Sequence, residues 1–245
     1  SNSWVNLFAA YLEELNAANE VVNLAVGGYT TASILPVASG GISGHNIEEA
    51  IAQNSDGIIE NLPSNDIGNN IFPTTTMAHY ATIVALADAQ GIPIWISTSQ
   101  PRNYGIQGQR DALVTVKNST ISTYPDTYLD FWTRIAVGPS DGFMVATYNQ
   151  GDGIHLNNAG HRILYNRTVG SGFVESLFPP VVSSVVATTA NTSTDITWTT
   201  DEIASSRVQY GLTTSYGSTT SEQNTSPRVT SHDVEIAGLV SCTTY

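Results

Sequence analysis

Trp4, Leu7, Phe8, Tyr11, Leu12 and Leu15 recur at three- and four-residue intervals, which predicts a helix with one apolar stripe. Val21-Val22-Asn23-Leu24-Ala25-Val26 is apolar apart from one residue and runs into Gly27-Gly28, so it reads as a buried strand that ends in a turn. A helical segment over Ile47–Ala52 and a strand over Gly57–Leu62 follow. Pro73 suits the start of a helix whose stripe includes Met77, Tyr80, Ile83, Val84 and Leu86 and which ends at Gly91. Next come the strand Ile94-Trp95-Ile96, a helix over Gln107–Asn118 and a strand over Tyr128–Phe131. A last helix begins at Asn157 or Asn158 and carries Ile163, Leu164, Val169 and Phe173. Strands alternating with helices imply a parallel sheet wrapped by helices. Chemistry in such sheets sits in loops beyond the carboxyl ends of the strands. The loops after Val26, Leu62 and Ile96 and the one around Asp152 are therefore the places to look.

The pattern changes at Phe178-Pro179-Pro180. Beyond it the helical period disappears, and residues 181–245 hold 15 Thr and 11 Ser among 65 residues, a composition that favours strands. The expected organisation is two domains, 1–177 and 181–245, joined by a very short linker. The 245 residues suffice for that division and for a sizeable core.

Charge narrows the function classes. The net charge is −13, and the first basic residue is Arg102, which argues against a protein that tracks nucleic-acid phosphates and against a polybasic membrane binder. No apolar run reaches the roughly 18 residues that span a bilayer. Low Lys, abundant Thr and Ser and a single cysteine, Cys242, point to an exported bacterial protein, secreted or at the cell surface. Cys242 lacks the companions of a zinc site, and no metal or other cofactor is expected.

Three loops carry residues suited to one kind of chemistry. Asn23–Thr31 places Gly27 and Gly28 at a strand end, where a backbone N–H can face a ligand with no side chain in the way. Asn61-Leu62-Pro63-Ser64-Asn65-Asp66 sets an amide beside a carboxylate; taken alone it reads as a turn. Gly151-Asp152-Gly153-Ile154-His155 puts a carboxylate three residues before an imidazole. That spacing lets the acid accept from one ring nitrogen while the other faces a substrate, as the orienter and base of a hydrolytic triad do. His45 and His79 have no partner pattern. His161, six residues after His155, falls on the predicted helix and reads as structural. Trp95, Gln100–Tyr104 and Trp132 lie near strand ends and are expected to line or approach the pocket.

In order and spacing these loops resemble the blocks of the SGNH (GDSL-type) serine hydrolase family. Asn23–Thr31 is similar to its Gly block, Pro63-Ser64-Asn65-Asp66 to its Gly-x-Asn-Asp block with Pro in place of Gly, and Asp152-Gly153-Ile154-His155 to its Asp-x-x-His block. The resemblance covers residues 1–177 and implies a three-layer, flavodoxin-like α/β fold and an esterase acting on a small-molecule or polysaccharide ester. It implies His155 as general base, Asp152 as its orienter, and Gly28 (or else Gly27) and Asn65 as oxyanion donors. The family's nucleophilic serine belongs at the end of a strand upstream of the first helix. Ser1-Asn2-Ser3-Trp4 abuts that helix directly, so it is taken as the helix lead-in, and the nucleophile is expected to be absent from this chain, which would then be inert.

The second segment resembles a fibronectin type III domain. The carriers are Asp195–Glu202 with Ile196 and Trp198 alternating, Val208 with Tyr210, and His232–Ile236 leading to Tyr245. The resemblance implies a partial β-sandwich lacking its last strands. The competing expectation is a non-catalytic extracellular binding or adhesion protein on the same scaffold, against which the Asp152/His155 pair weighs.

Overall fold

A computed structural model describes residues 3–245 of the chain. It separates into two units, Ser1–Leu177 and Phe178–Tyr245.

The first unit is organised on a parallel three-stranded sheet in the order β1 (Ile58–Glu60), β2 (Ile94–Ser97), β3 (Tyr128–Leu129), with Ile59 opposite Trp95 and Ile96 opposite Tyr128. All four residues of β2 are buried, as expected for a central parallel strand covered on both faces. Its side chains divide between two cores because successive residues of a strand point to opposite faces. Ile94 and Ile96 pack with Tyr80, Ile83 and Ala87 of α4 (Pro73–Asp88) and with Leu113 and Val116 of α5 (Gln107–Thr123). Trp95 packs on the other side with Phe8 and Leu12 of α1 (Trp4–Leu15), Leu164 of α6 (Asn158–Val169) and Phe173 of α7 (Phe173–Leu177). The result is three layers, helix, sheet and helix. Two short helices, α2 (Ile47–Ala52) and α3 (Pro63–Gly68), and an antiparallel hairpin, β4 (Ala136–Gly138) with β5 (Asp141–Met144), complete the unit.

Local chemistry accounts for the element ends. Ser3 caps α1 by accepting from the Asn6 N–H at 3.3 Å, and Asn157 caps α6 by accepting from the N–H groups of Ala159 and Gly160. Ser3 thus serves as the helix lead-in; Ser1 and Asn2 of that expected segment lie outside the described residues. Gly170 closes α6, so Phe173 belongs to a separate helix. Pro63 opens α3, where the missing proline N–H leaves no helical bond unmade, and the segment expected as a turn is helical instead.

One expected strand is absent. Residues 21–26 form no regular secondary structure and join no ladder, and Val22 is 49% exposed. A strand exists only through bonds to a neighbour, and among the described residues no neighbouring strand pairs with this segment.

The second unit has an antiparallel sheet in the order β10 (Val229–Ala237), β7 (Ser193–Ala204), β6 (Val182–Thr189), and a two-stranded hairpin of β8 (Gln209–Tyr210) with β9 (Ser218–Thr219). His232, Val234 and Ile236 alternate inward along β10 while Asp233 and Glu235 face out. The His232 ring lies flat on Trp198, centroids 4.8 Å apart and planes within 6°. Its two nitrogens meet the hydroxyls of Thr200 (2.9 Å) and Ser206 (2.7 Å), so a buried imidazole is fully partnered.

Glu60, the last residue of β1, is buried beside Tyr80. Burial first, and the charge of Asp66 second, push its pKa up to about 8. The unfolded chain releases this proton near pH 4.5, whereas the folded chain keeps it, so Glu60 costs no stability below that pH and a growing amount as pH rises to about 8. Glu60→Gln should flatten this decline and raise Tm at pH 8 by roughly 5 °C or more in calorimetry; identical pH profiles of Tm for the two proteins would contradict the assignment.

Candidate active site

The loop Asn149–Asn157 is wired to itself. Asn149 accepts through its side-chain oxygen from the N–H groups of Gly151 (2.7 Å) and Gly153 (3.0 Å), and the N–H of Gln150 donates to the carbonyl of His155 (2.9 Å). Asp152 lies at the centre. One carboxylate oxygen accepts from the backbone N–H groups of Ile154 and His155, both at 2.8 Å, and the other stands 2.6 Å from His155 Nδ1. The His155 N–H, followed by its imidazole and the Ile154 N–H, holds the Asp152 carboxyl well below the usual carboxylate range. An ionised Asp152 keeps the proton on Nδ1 and leaves Nε2 as the acceptor. The His155 side chain is 66% exposed, so that nitrogen is open to an incoming group.

Gly28 and Asn65 meet at a second corner. The Tyr29 N–H donates to the Val26 carbonyl (3.2 Å), closing a turn with Gly28 at φ +85°. This is the third turn position, which glycine occupies without strain. Space around Gly28 is open, so conformation rather than crowding demands the glycine. The Asn65 amide donates to the Tyr29 carbonyl at 2.9 Å and thereby sits against the residue that follows Gly28. Gly27, the fallback, has no positive φ and is equally open.

Beneath this corner lies a network that the sequence pattern did not reveal. Asp66 is fully buried and accepts from the Thr31 N–H (2.8 Å), from the Thr31 hydroxyl and from the Thr76 hydroxyl (2.7 Å). His79 Nδ1 is 2.7 Å from the same Thr31 hydroxyl. Asp66 therefore fastens the Gly28 turn to α3 and α4 rather than facing a substrate. The adjacency of Asn65 and Asp66 was a visible clue to this; the Thr31, Thr76 and His79 partners were not, because they are separated in sequence by up to 48 positions.

The loop Gln100–Tyr104 joins the two corners. On one side the Asn103 N–H donates to the Gly153 carbonyl (2.8 Å) and the Gln100 amide to the Ile154 carbonyl (3.0 Å). On the other, Arg102 reaches the Asn65 side-chain oxygen at 3.4 Å and lies over the Tyr104 ring, while the Tyr104 hydroxyl donates to the Ser64 carbonyl. Ser99, which leads into the loop, is buried at φ +65°, a left-handed conformation that costs a non-glycine residue on the order of 1 kcal/mol or more.

Two expected pocket residues are elsewhere. Trp95 and Trp132 are 6% and 2% exposed and belong to the cores on opposite sides of the sheet. The pleat of β2 turns Trp95 inward, and Trp132, which lies beyond β3, packs into the opposite core and donates its indole N–H to the Gly138 carbonyl at 3.1 Å. His161 is structural: its Nδ1 accepts from the Trp4 N–H at 3.4 Å, and burial, with His155 nearby, pushes its pKa down. His45 meets the Leu24 carbonyl at 3.0 Å. Among the described residues no cluster of His, Cys, Asp and Glu could hold a metal, and no helix is long and apolar enough to cross a membrane.

The α/β unit thus carries an Asp152–His155 pair on one loop and a Gly28–Asn65 corner on another. The profile of the GDSL-like Lipase/Acylhydrolase family matches residues 1–163, and the chain belongs to that family. Solved structures share the fold. One is a lipolytic protein of the G-D-S-L family from Desulfitobacterium hafniense DCB-2, 14% identical, covering 69% of this chain and 88% of that one at a TM-score of 0.54. A second is a variant of an acetylxylan esterase from Geobacillus stearothermophilus, 16% identical, covering 69% and 80% at 0.52. A third is the esterase EstA from Pseudoalteromonas sp., inhibited by monoethylphosphonate, 16% identical, covering 69% and 85% at 0.51. No curated protein matches this chain in sequence.

Gly153 combines φ +73° with a position where a Cβ would fall 2.8 Å from Asn103 Cβ. Gly153→Ala should cost about 1–2 kcal/mol from the backbone alone and lower Tm by several degrees. The His155 imidazole NMR signals should shift as the loop moves off Asn103; unchanged Tm and unchanged signals would show that the loop is held by something else.

Proposed function

We propose that the protein is an exported bacterial serine esterase that removes short acyl groups, acetyl among them, from small-molecule or carbohydrate esters. The observation that carries this reading is the 2.6 Å pair between Asp152 and His155 on an exposed loop, with an ionised carboxylate orienting the ring. A purely binding scaffold has no use for such a pair. On this reading a serine hydroxyl is the nucleophile that His155 activates. The acetylxylan esterase among the structural relatives supports the substrate class, and the phosphonate-inhibited one supports a serine nucleophile.

The reaction runs in two steps. His155 Nε2 takes the proton of the serine hydroxyl as the serine oxygen attacks the ester carbonyl. The carbonyl oxygen becomes an oxyanion, held by the Gly28 N–H and by the Asn65 amide hydrogen not engaged with Tyr29. The bond to the alcohol breaks, and the alcohol leaves with the proton from His155. Water then attacks the acyl-serine by the same route and releases the acid. No metal or redox group has a part in these steps.

For the second unit we propose a fibronectin type III-like spacer. Buried Trp198 supports it, as does the bond from the Val240 N–H to the Tyr245 hydroxyl (3.0 Å), a return contact of the kind made at a tyrosine corner.

The full-length protein should hydrolyse a chromogenic acetyl ester and be inactivated by a serine-directed phosphonate. Asn65→Ala should lower kcat about 10²–10³-fold, and His155→Ala should abolish turnover nearly completely. Failure to react with the phosphonate would sink the serine-esterase reading, and full activity of Asn65→Ala would sink the assignment of the oxyanion donor.

A further inference from the structure

We propose that Arg102 is a positioning residue that orients and polarises the Asn65 amide for oxyanion binding. The inference rests on the esterase reading above and deepens it.

The two ends of an asparagine amide are nearly the same shape, and what distinguishes them is which partner donates and which accepts. The Tyr29 carbonyl can only accept, so it demands Nδ2; the Arg102 guanidinium can only donate, so it demands Oδ1. Rotating the amide by half a turn would set oxygen against oxygen and N–H against N–H. With both contacts made, one Nδ2 hydrogen is engaged by Tyr29 and the second is left for a ligand. Either partner alone would bias the amide; together they leave one orientation.

Arg102 is itself held in place. Its guanidinium lies 4.7 Å from the centre of the Tyr104 ring, a cation–π geometry. The Tyr104 hydroxyl is tied to the Ser64 carbonyl, the residue before Asn65. Gly68 leaves the space: a Cβ there would be 3.0 Å from the Tyr104 hydroxyl and 3.5 Å from the guanidinium. Among the described residues no carboxylate pairs with Arg102, so its charge acts on the Asn65 oxygen rather than being spent in an ion pair. A cation on Oδ1 withdraws density from the amide and strengthens Nδ2–H as a donor. When negative charge builds on the substrate oxygen, the amide polarises further and the Arg102 contact tightens. The interaction therefore grows in the transition state, and its loss should fall on kcat rather than on KM.

A double-mutant cycle in the full-length protein tests this, with each variant normalised to its competent fraction by phosphonate active-site titration. Arg102→Met should lower kcat about tenfold to a hundredfold, the range for losing a hydrogen bond from a charged group, with KM within about threefold. Arg102→Lys, which keeps the charge but loses the planar stacking, should fall between the two. In an Asn65→Ala background Arg102→Met should change kcat less than about threefold, because its target is gone. Wild-type kcat in Arg102→Met would overturn the inference, as would losses that multiply in the double variant or an effect confined to KM. Should Asn65→Ala itself retain full turnover, the underlying reading fails; a loss at Asn65 with none at Arg102 removes only the role given to Arg102.

Discussion

Both corners of the candidate site hang from one short loop, Gln100–Tyr104, at the carboxyl end of the central strand. Asn103 and Gln100 grip the backbone of the Asp152–His155 loop, and Arg102 with Tyr104 grips the start of α3, where Asn65 stands. These elements are far apart in the chain, and each is too short to bury enough apolar surface to hold itself. The loop can serve as a common reference because β2 is the strand buried on both faces and therefore the least free to move. The left-handed Ser99 shows that the chain enters the loop in a conformation that only its surroundings sustain.

The two corners are made rigid by different means. The Asp152–His155 corner is exposed, and its order comes from local backbone bonds: a carboxylate that collects two N–H groups and an imidazole within three residues. The Gly28–Asn65 corner is built over a buried carboxylate, Asp66, whose three donors come from two segments. Burying the carboxylate beneath the Gly28–Asn65 corner shields its hydrogen bonds from water and holds that corner in one geometry.

Much of this was legible in the residue order. Helices with a one-sided stripe, such as α1 and α4, and the continuously apolar β2 follow from periodicity. The Asp152/His155 pair follows from spacing, because a three-residue tight loop leaves the two side chains little choice. Val21–Val26 misled because an apolar β-branched run specifies an extended backbone but not a partner to pair with. Pro63–Gly68 misled in the other direction, since Pro, Ser, Asn and Asp favour a turn and the first turn of a helix alike. Nearness to strand ends does not place Trp95 or Trp132 in the pocket: the pleat of β2 puts Trp95 in one core, and the turn beyond β3 puts Trp132 in the other.

By itself the sequence determined the alternation of strands and helices, the division near Phe178, and the carboxylate–imidazole pair, all of which depend on neighbours within a few residues. Only the tertiary structure decided that Asn65 meets Tyr29, that Arg102 faces the Asn65 oxygen, and that Asp66 lies buried under Thr31 and Thr76. Those contacts join segments 10 to 37 positions apart. Sequence spacing carries no information about such pairs until the sheet brings its strand ends to one edge, and it is there that the polar groups find or lack their partners.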